Sequence, residues 1–129
     1  MTDPIDRIAT PAVPAPAGHY AQAAAWRDLV FVSGQLGPRS DGTHTADQPF
    51  EVQVRQALTN LLAILAEAGS GPDRVLRVTA YIVGVDNWPA FNRIYAEMFG
   101  AAKPARTVVP VPELHHGYLV EVDAIGVRE

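Results

Sequence analysis

Apolar positions recur at helical spacing most clearly over residues 50–68. Val54, Ala57, Leu58, Leu61, Leu65 and Ala68 fall on one stripe, while Glu51, Arg55, Thr59 and Glu67 lie largely away from it. Pro49 suits the first turn, and Gly69 suits the residue just past the end, where left-handed backbone is cheap only for glycine. A second helix is expected over residues 88–99, with its stripe at Phe91, Ile94, Tyr95 and Met98. Asp86 or Asn87 is placed to cap it, Pro89 is tolerated in its first turn, and Gly100 stops it.

The remaining segments read as strands. Residues 19–25 and 29–34 flank a turn at Arg27-Asp28, and Leu29-Val30-Phe31-Val32 is apolar enough to be buried on both faces. Residues 37–49, crowded with Gly, Pro, Ser and Asp, read as a loop with room for an extra edge strand. Further strands are expected over 75–83, 107–111 and 118–127. In the last of these, Leu119, Glu121, Asp123 and Ile125 share one face, and Val120, Val122 and Ala124 share the other. The order strand, strand, helix, strand, helix, strand, strand predicts an α+β fold, with two helices covering one face of a mixed sheet. No third helix is available for the other face, so self-association is the simplest cover for it.

Composition narrows this picture. At 129 residues and 13.9 kDa the chain suits one domain. The Pro- and Ala-rich stretch 1–18 is expected to be a flexible tail, with the folded domain over 19–129. That stretch lacks the basic opening and apolar core of a signal peptide. No segment approaches the roughly 18 apolar residues of a membrane span, so the expected location is cytoplasmic. The net charge of −4 and the lack of a basic stripe argue against nucleic acid as the main partner. With no cysteine, disulfides, thiol nucleophiles and cysteine metal sites are excluded.

Five segments, taken in order, resemble the RidA/YjgF family: Gly18-His19-Tyr20-Ala21-Gln22-Ala23, Val32-Ser33-Gly34-Gln35, Phe91-Asn92-Arg93-Ile94-Tyr95, Lys103-Pro104-Ala105-Arg106 and Val120-Glu121-Val122-Asp123-Ala124-Ile125. Gln56-Ala57-Leu58 and Ala66-Glu67-Ala68-Gly69 fit as well. The resemblance implies a chorismate-mutase-like homotrimer with clefts between subunits. It also implies a deaminase that hydrolyses 2-enamine or 2-imine derivatives of 2-oxo acids, such as 2-aminoacrylate, to the 2-oxo acid and ammonia. By the same resemblance Arg106 binds the substrate carboxylate through its two-pronged guanidinium, and Glu121 positions and polarises the attacking water. Tyr20, Gly34 and Asn92 line the cleft, with backbone contributions from Thr107 and Val108. No metal or organic cofactor is implied, because an imine is already electrophilic.

Read without the resemblance, the same residues have structural alternatives. Arg106 follows a proline-led strand start and suits an ion pair. Glu121 interrupts an apolar strand, where a half-buried carboxylate needs a partner or a task. Asp123, on the same face, suits a structural partner for a cation or the second member of a carboxylate pair. His115-His116 invites a metal reading, but adjacent residues on extended backbone point to opposite faces, and His19 and His44 are remote in sequence. The chain departs from the family pattern at His19, where proline is usual, at Pro110 and Pro112, which confine their strand to an edge or a bulge, and over Glu113-Leu114-His115-His116-Gly117. These departures touch the cleft wall, and substrate choice is where they would act. Two other functions compete: a non-catalytic trimeric binding or regulatory protein for small 2-oxo acids, and an endoribonuclease-type relative.

Overall fold

A computed structural model describes residues 3–129. Strands β1 (Asp6–Ile8), β2 (Ala23–Trp26) and β3 (Leu29–Gln35) are followed by helix α1 (Phe50–Glu67), strand β4 (Val75–Val83), helix α2 (Trp88–Phe99) and strands β5 (Ala105–Val111) and β6 (Val120–Val127). The strands form one mixed sheet in the order β1-β2-β3-β6-β4-β5. Among the described residues only β4 and β5 run parallel, and α2 makes the crossover between them.

Both helices pack on one face. The alternation in β6 works as its sequence predicts: Val120, Val122 and Ala124 are buried against the helices, while Glu121, Asp123 and Ile125 are half-buried on the other side. The stripe of α1 is buried from Val54 to Leu65, and Gly69 takes φ +86 just beyond the helix. Helix α2 differs from expectation at its start. Asn87 stands at the cap position without a capping bond, and its amide donates instead to the Val83 carbonyl (2.9 Å), tying the helix to the end of β4. β5 is an edge strand, as Pro110 and Pro112 require. Residues 37–49 hold no strand.

Two expectations are corrected. The stretch 1–18 is not a tail from Asp6 onward. β1 pairs with β2, and Val13 is buried in the core. Buried Gln22 makes this possible. Its carbonyl oxygen accepts from the Thr10 N–H (2.7 Å), and its amide donates to the carbonyls of Thr10, Val13 and Pro14. One side chain thereby supplies the partners that a segment without strand periodicity lacks. Second, 29–32 is buried on one face only. Val30 and Val32 face the helices, but Phe31 is 46% exposed, because no element among the described residues covers the second face. No helix among the described residues is long and apolar enough to cross a membrane.

Candidate active site

Glu121 is presented on the open face of β6, across from Tyr81 of β4. On its other side β3 carries an irregularity. Val32 pairs with Ala124 but Gln35 with Val122, so β3 has one residue more than β6 over this stretch, a bulge at Ser33-Gly34. The bulge sets Gly34 directly against the carboxylate. A methyl group added at Gly34 would lie 2.6 Å from Glu121 Oε2 and 3.2 Å from its Cδ. Glycine is required here for close approach, since the backbone is not left-handed.

The surroundings hold the Glu121 carboxyl above its ordinary pKa. Burial is the main cause and the negative charge of Asp123 adds to it, while His115 works in the opposite sense. Asp123 is also raised by burial, an effect partly relieved by the Tyr81 hydroxyl, which donates to it at 3.4 Å, and by the charge of Arg77. The partner of Asp123 is therefore a hydroxyl more than a cation.

Glu121, Gly34 and Tyr20 share a cavity of about 680 Å³. Its lining also includes the apolar segment 13–18 and three histidines, His44, His115 and His116. The histidines were not expected to meet. Residues His115–Gly117 form a tight turn, with His116 at φ +61, so the two rings stack 3.7 Å apart instead of pointing to opposite faces. The 37–49 loop brings His44 to 4.7 Å from the His116 ring. That loop is held from below by α1, where the buried Gln53 amide donates to the carbonyls of Ala46 and Gln48 and the Asn60 amide to those of Leu36 and Pro38. It is held from above by the buried Tyr118 hydroxyl, which accepts from the Thr45 N–H (3.1 Å) and lies 2.8 Å from His44 Nδ1. Among the described residues no cluster of three or more His, Asp or Glu side chains is arranged to hold a metal ion.

Arg106 lies elsewhere. It stands across from buried Val78, and its guanidinium sits over the rings of Tyr95 (5.0 Å) and Phe91 (5.7 Å) on α2. That is the helix side of the sheet, whereas Glu121 faces the open side. Thr107 pairs with Thr79 and takes a hydrogen bond from Arg77 (2.8 Å), Val108 packs against the core, and Asn92 is exposed on α2. Within one chain, then, Tyr20, Gly34 and Glu121 come together, and Arg106, Asn92, Thr107 and Val108 do not line their cavity.

A small α+β sandwich with an open sheet face carries a half-buried carboxyl of raised pKa beside a bulged glycine. Comparison with known proteins gives the family. The family model described as Endoribonuclease L-PSP matches residues 10–128. A RutC family protein of Pyrococcus abyssi is 34% identical over 122 residues, covering 95% of this chain and 96% of the relative. A 2-iminobutanoate/2-iminopropanoate deaminase of Dermatophagoides farinae is also 34% identical, with 95% of each chain covered. The crystal structure of a Rid-family protein of unknown function from Yersinia pestis superposes with a TM-score of 0.92 at 33% identity, over 96% of this chain and 99% of the other. The chain belongs to this family, the endoribonuclease L-PSP or RidA/YjgF family.

Proposed function

We propose that the protein is a cofactor-independent deaminase of 2-imino and 2-enamino acids, working as a homotrimer whose clefts combine Glu121 of one copy with Arg106 of the next. The observation that carries this reading is the Glu121 carboxylate, half-buried at a cavity wall with its proton affinity raised towards the working range of a general base. The relatives named as imine deaminases support the reaction class.

In the reaction, the enamine takes a proton from solvent at its terminal carbon to become the iminium ion. Water adds to C2, one of its protons passing to the Glu121 carboxylate while the C=N π electrons return to nitrogen, giving the neutral carbinolamine. Glu121 then returns that proton to nitrogen, and the carbinolamine hydroxyl gives up its proton to solvent as the C–N bond breaks, so that ammonia leaves and the 2-oxo acid remains. Arg106 grips the C1 carboxylate through both ground and transition states. The exposed edge position of Arg106 and the uncovered open face of the sheet are what a neighbouring copy would use.

The test is complementation. Arg106→Ala and Glu121→Gln, each inactive alone in ammonia release from freshly generated 2-aminoacrylate, are mixed, dissociated and reassembled. In a heterologous ring about one quarter of the clefts regain both side chains, and activity returns to that extent. Sedimentation should give three times 13.9 kDa. A reassembled mixture that stays inactive, or a monomer that turns over substrate, refutes the shared cleft. RNA cleavage measured beside ammonia release decides against the deaminase if it alone is found.

A further inference from the structure

In one chain, before a neighbouring copy completes the cleft, the cavity beside Glu121 has room for more than a three- or four-carbon imino acid. At about 680 Å³ it falls within the roughly 300–1,000 Å³ of sites that enclose drug-sized ligands. Its lining includes the Pro- and Ala-rich segment 13–18 and the rings of His44, His115 and His116. We infer that this histidine wall is the side-chain subsite of the enzyme and selects 2-imino acids that carry an aromatic side chain.

Three observations converge on it. The rings form a stack, with His115 against His116 at 3.7 Å and 22° and His44 tilted by 36° against His116 at 4.7 Å, and all three residues are exposed. The stack is built before any ligand arrives. His44 is fixed by the buried Tyr118 hydroxyl, and the turn at His116 and Gly117 is set by left-handed backbone at φ +61 and +77. The apolar segment is fixed as well, by the Gln22 amide on the Val13 and Pro14 carbonyls. A planar, apolar group entering the cavity can extend the imidazole stack at its outer face or meet its edges, with proline and alanine carbon also in the lining. Partial desolvation and the neighbouring His115 and His44 also hold the His116 ring below its ordinary pKa.

The inference takes its reaction from the deaminase reading, but its binding test stands apart from it. Phenylpyruvate, 2-oxobutanoate and 2-oxoglutarate are titrated calorimetrically into the full-length protein at neutral pH. In parallel, ammonia release is followed from imines generated from phenylalanine and from 2-aminobutyrate by an amino-acid oxidase. Phenylpyruvate is expected to bind about tenfold more tightly than 2-oxobutanoate, the outcome of one or two ring contacts each giving about two- to tenfold. In His116→Ala that ratio collapses towards one, and in His116→Phe it is retained. His115→Ala, outside the left-handed position, repeats the test should His116→Ala fold poorly. Equal affinities, or tighter binding of 2-oxoglutarate, overturn the aromatic subsite. Preferential phenylpyruvate binding without ammonia release from either imine keeps the subsite and removes the deaminase. Ammonia release without a binding preference does the reverse.

Discussion

Gly34→Ala isolates the position of the Glu121 carboxylate from its presence. The added methyl group would start 2.6 Å from Oε2, where an ordinary contact is about 3.5 Å. The carboxylate must therefore retreat by roughly 1 Å, a displacement that at a reacting centre costs on the order of 10²-fold in rate. The fold has little reason to suffer. The obstructing atom is the end of a flexible side chain, and the backbone at Gly34 is open to alanine, which by itself changes stability by less than about 1 kcal/mol. Gly126→Ala supplies the contrast. Its methyl group would stand 3.0 Å from Leu65 Cδ2, 3.0 Å from Ser70 Oγ and 3.4 Å from the Arg74 carbonyl, away from the cavity. That variant should lose about 1–3 kcal/mol of stability and keep its turnover per folded molecule. Ammonia release and thermal unfolding measured on both variants check the reasoning. Undiminished turnover in Gly34→Ala, or a loss of stability equal to that of Gly126→Ala, would show that the glycine does not hold the carboxylate in place.

Three further outcomes are expected. Because Glu121 holds its proton more tightly folded than unfolded, stability falls as pH rises from the ordinary carboxylate pKa through the raised one; Glu121→Gln should be more stable than the parent at pH 7 by thermal unfolding, lose about 10²–10⁴-fold in turnover, and lack the acid limb that the parent shows above the ordinary carboxylate range. The Tyr95 hydroxyl is buried without a partner, and its pKa is pushed up to about 12 mainly by burial, so Tyr95→Phe should be neutral or stabilising by up to about 1 kcal/mol in denaturant titration while keeping the ring beneath Arg106. Gln22→Ala removes the partners of Thr10, Val13 and Pro14 and should cost about 2–4 kcal/mol, with proteolysis beginning in the first 14 residues; protection equal to the parent would contradict the clasp.

Much of the framework is legible in the residue pattern because burial enforces it. The stripe of α1 and the alternation of β6 each answer to a single apolar face, and Pro110 and Pro112 announce an edge because they lack the N–H that an interior strand must donate. Side chains that serve backbone leave no such period. Gln22 folds the segment 10–14 through one amide, and nothing in the spacing of that segment predicts a partner for it. The histidine wall is hidden for a related reason, since extended backbone would separate His115 from His116 and only the left-handed turn stacks them. Arg106 and Glu121 are recognisable as a pair from the family motifs, yet register places them on opposite sides of one sheet, Arg106 beside core-facing Val78 and Glu121 beside Tyr81.

The two borders of the sheet bear on how copies of this chain can meet. One border is β1, three residues long and pinned at its base by Arg128 to Asp6 at 2.9 Å; the other is β5, interrupted by Pro110 and followed at once by Pro112. Neither offers the long, uninterrupted ladder of free N–H and C=O groups on which a foreign strand could dock and extend the sheet. Growth by strand addition, the route to fibrils, is thus disfavoured at both ends, which leaves side-chain surfaces, where shape and charge can limit the number of partners, as the better ground for contact between folded copies.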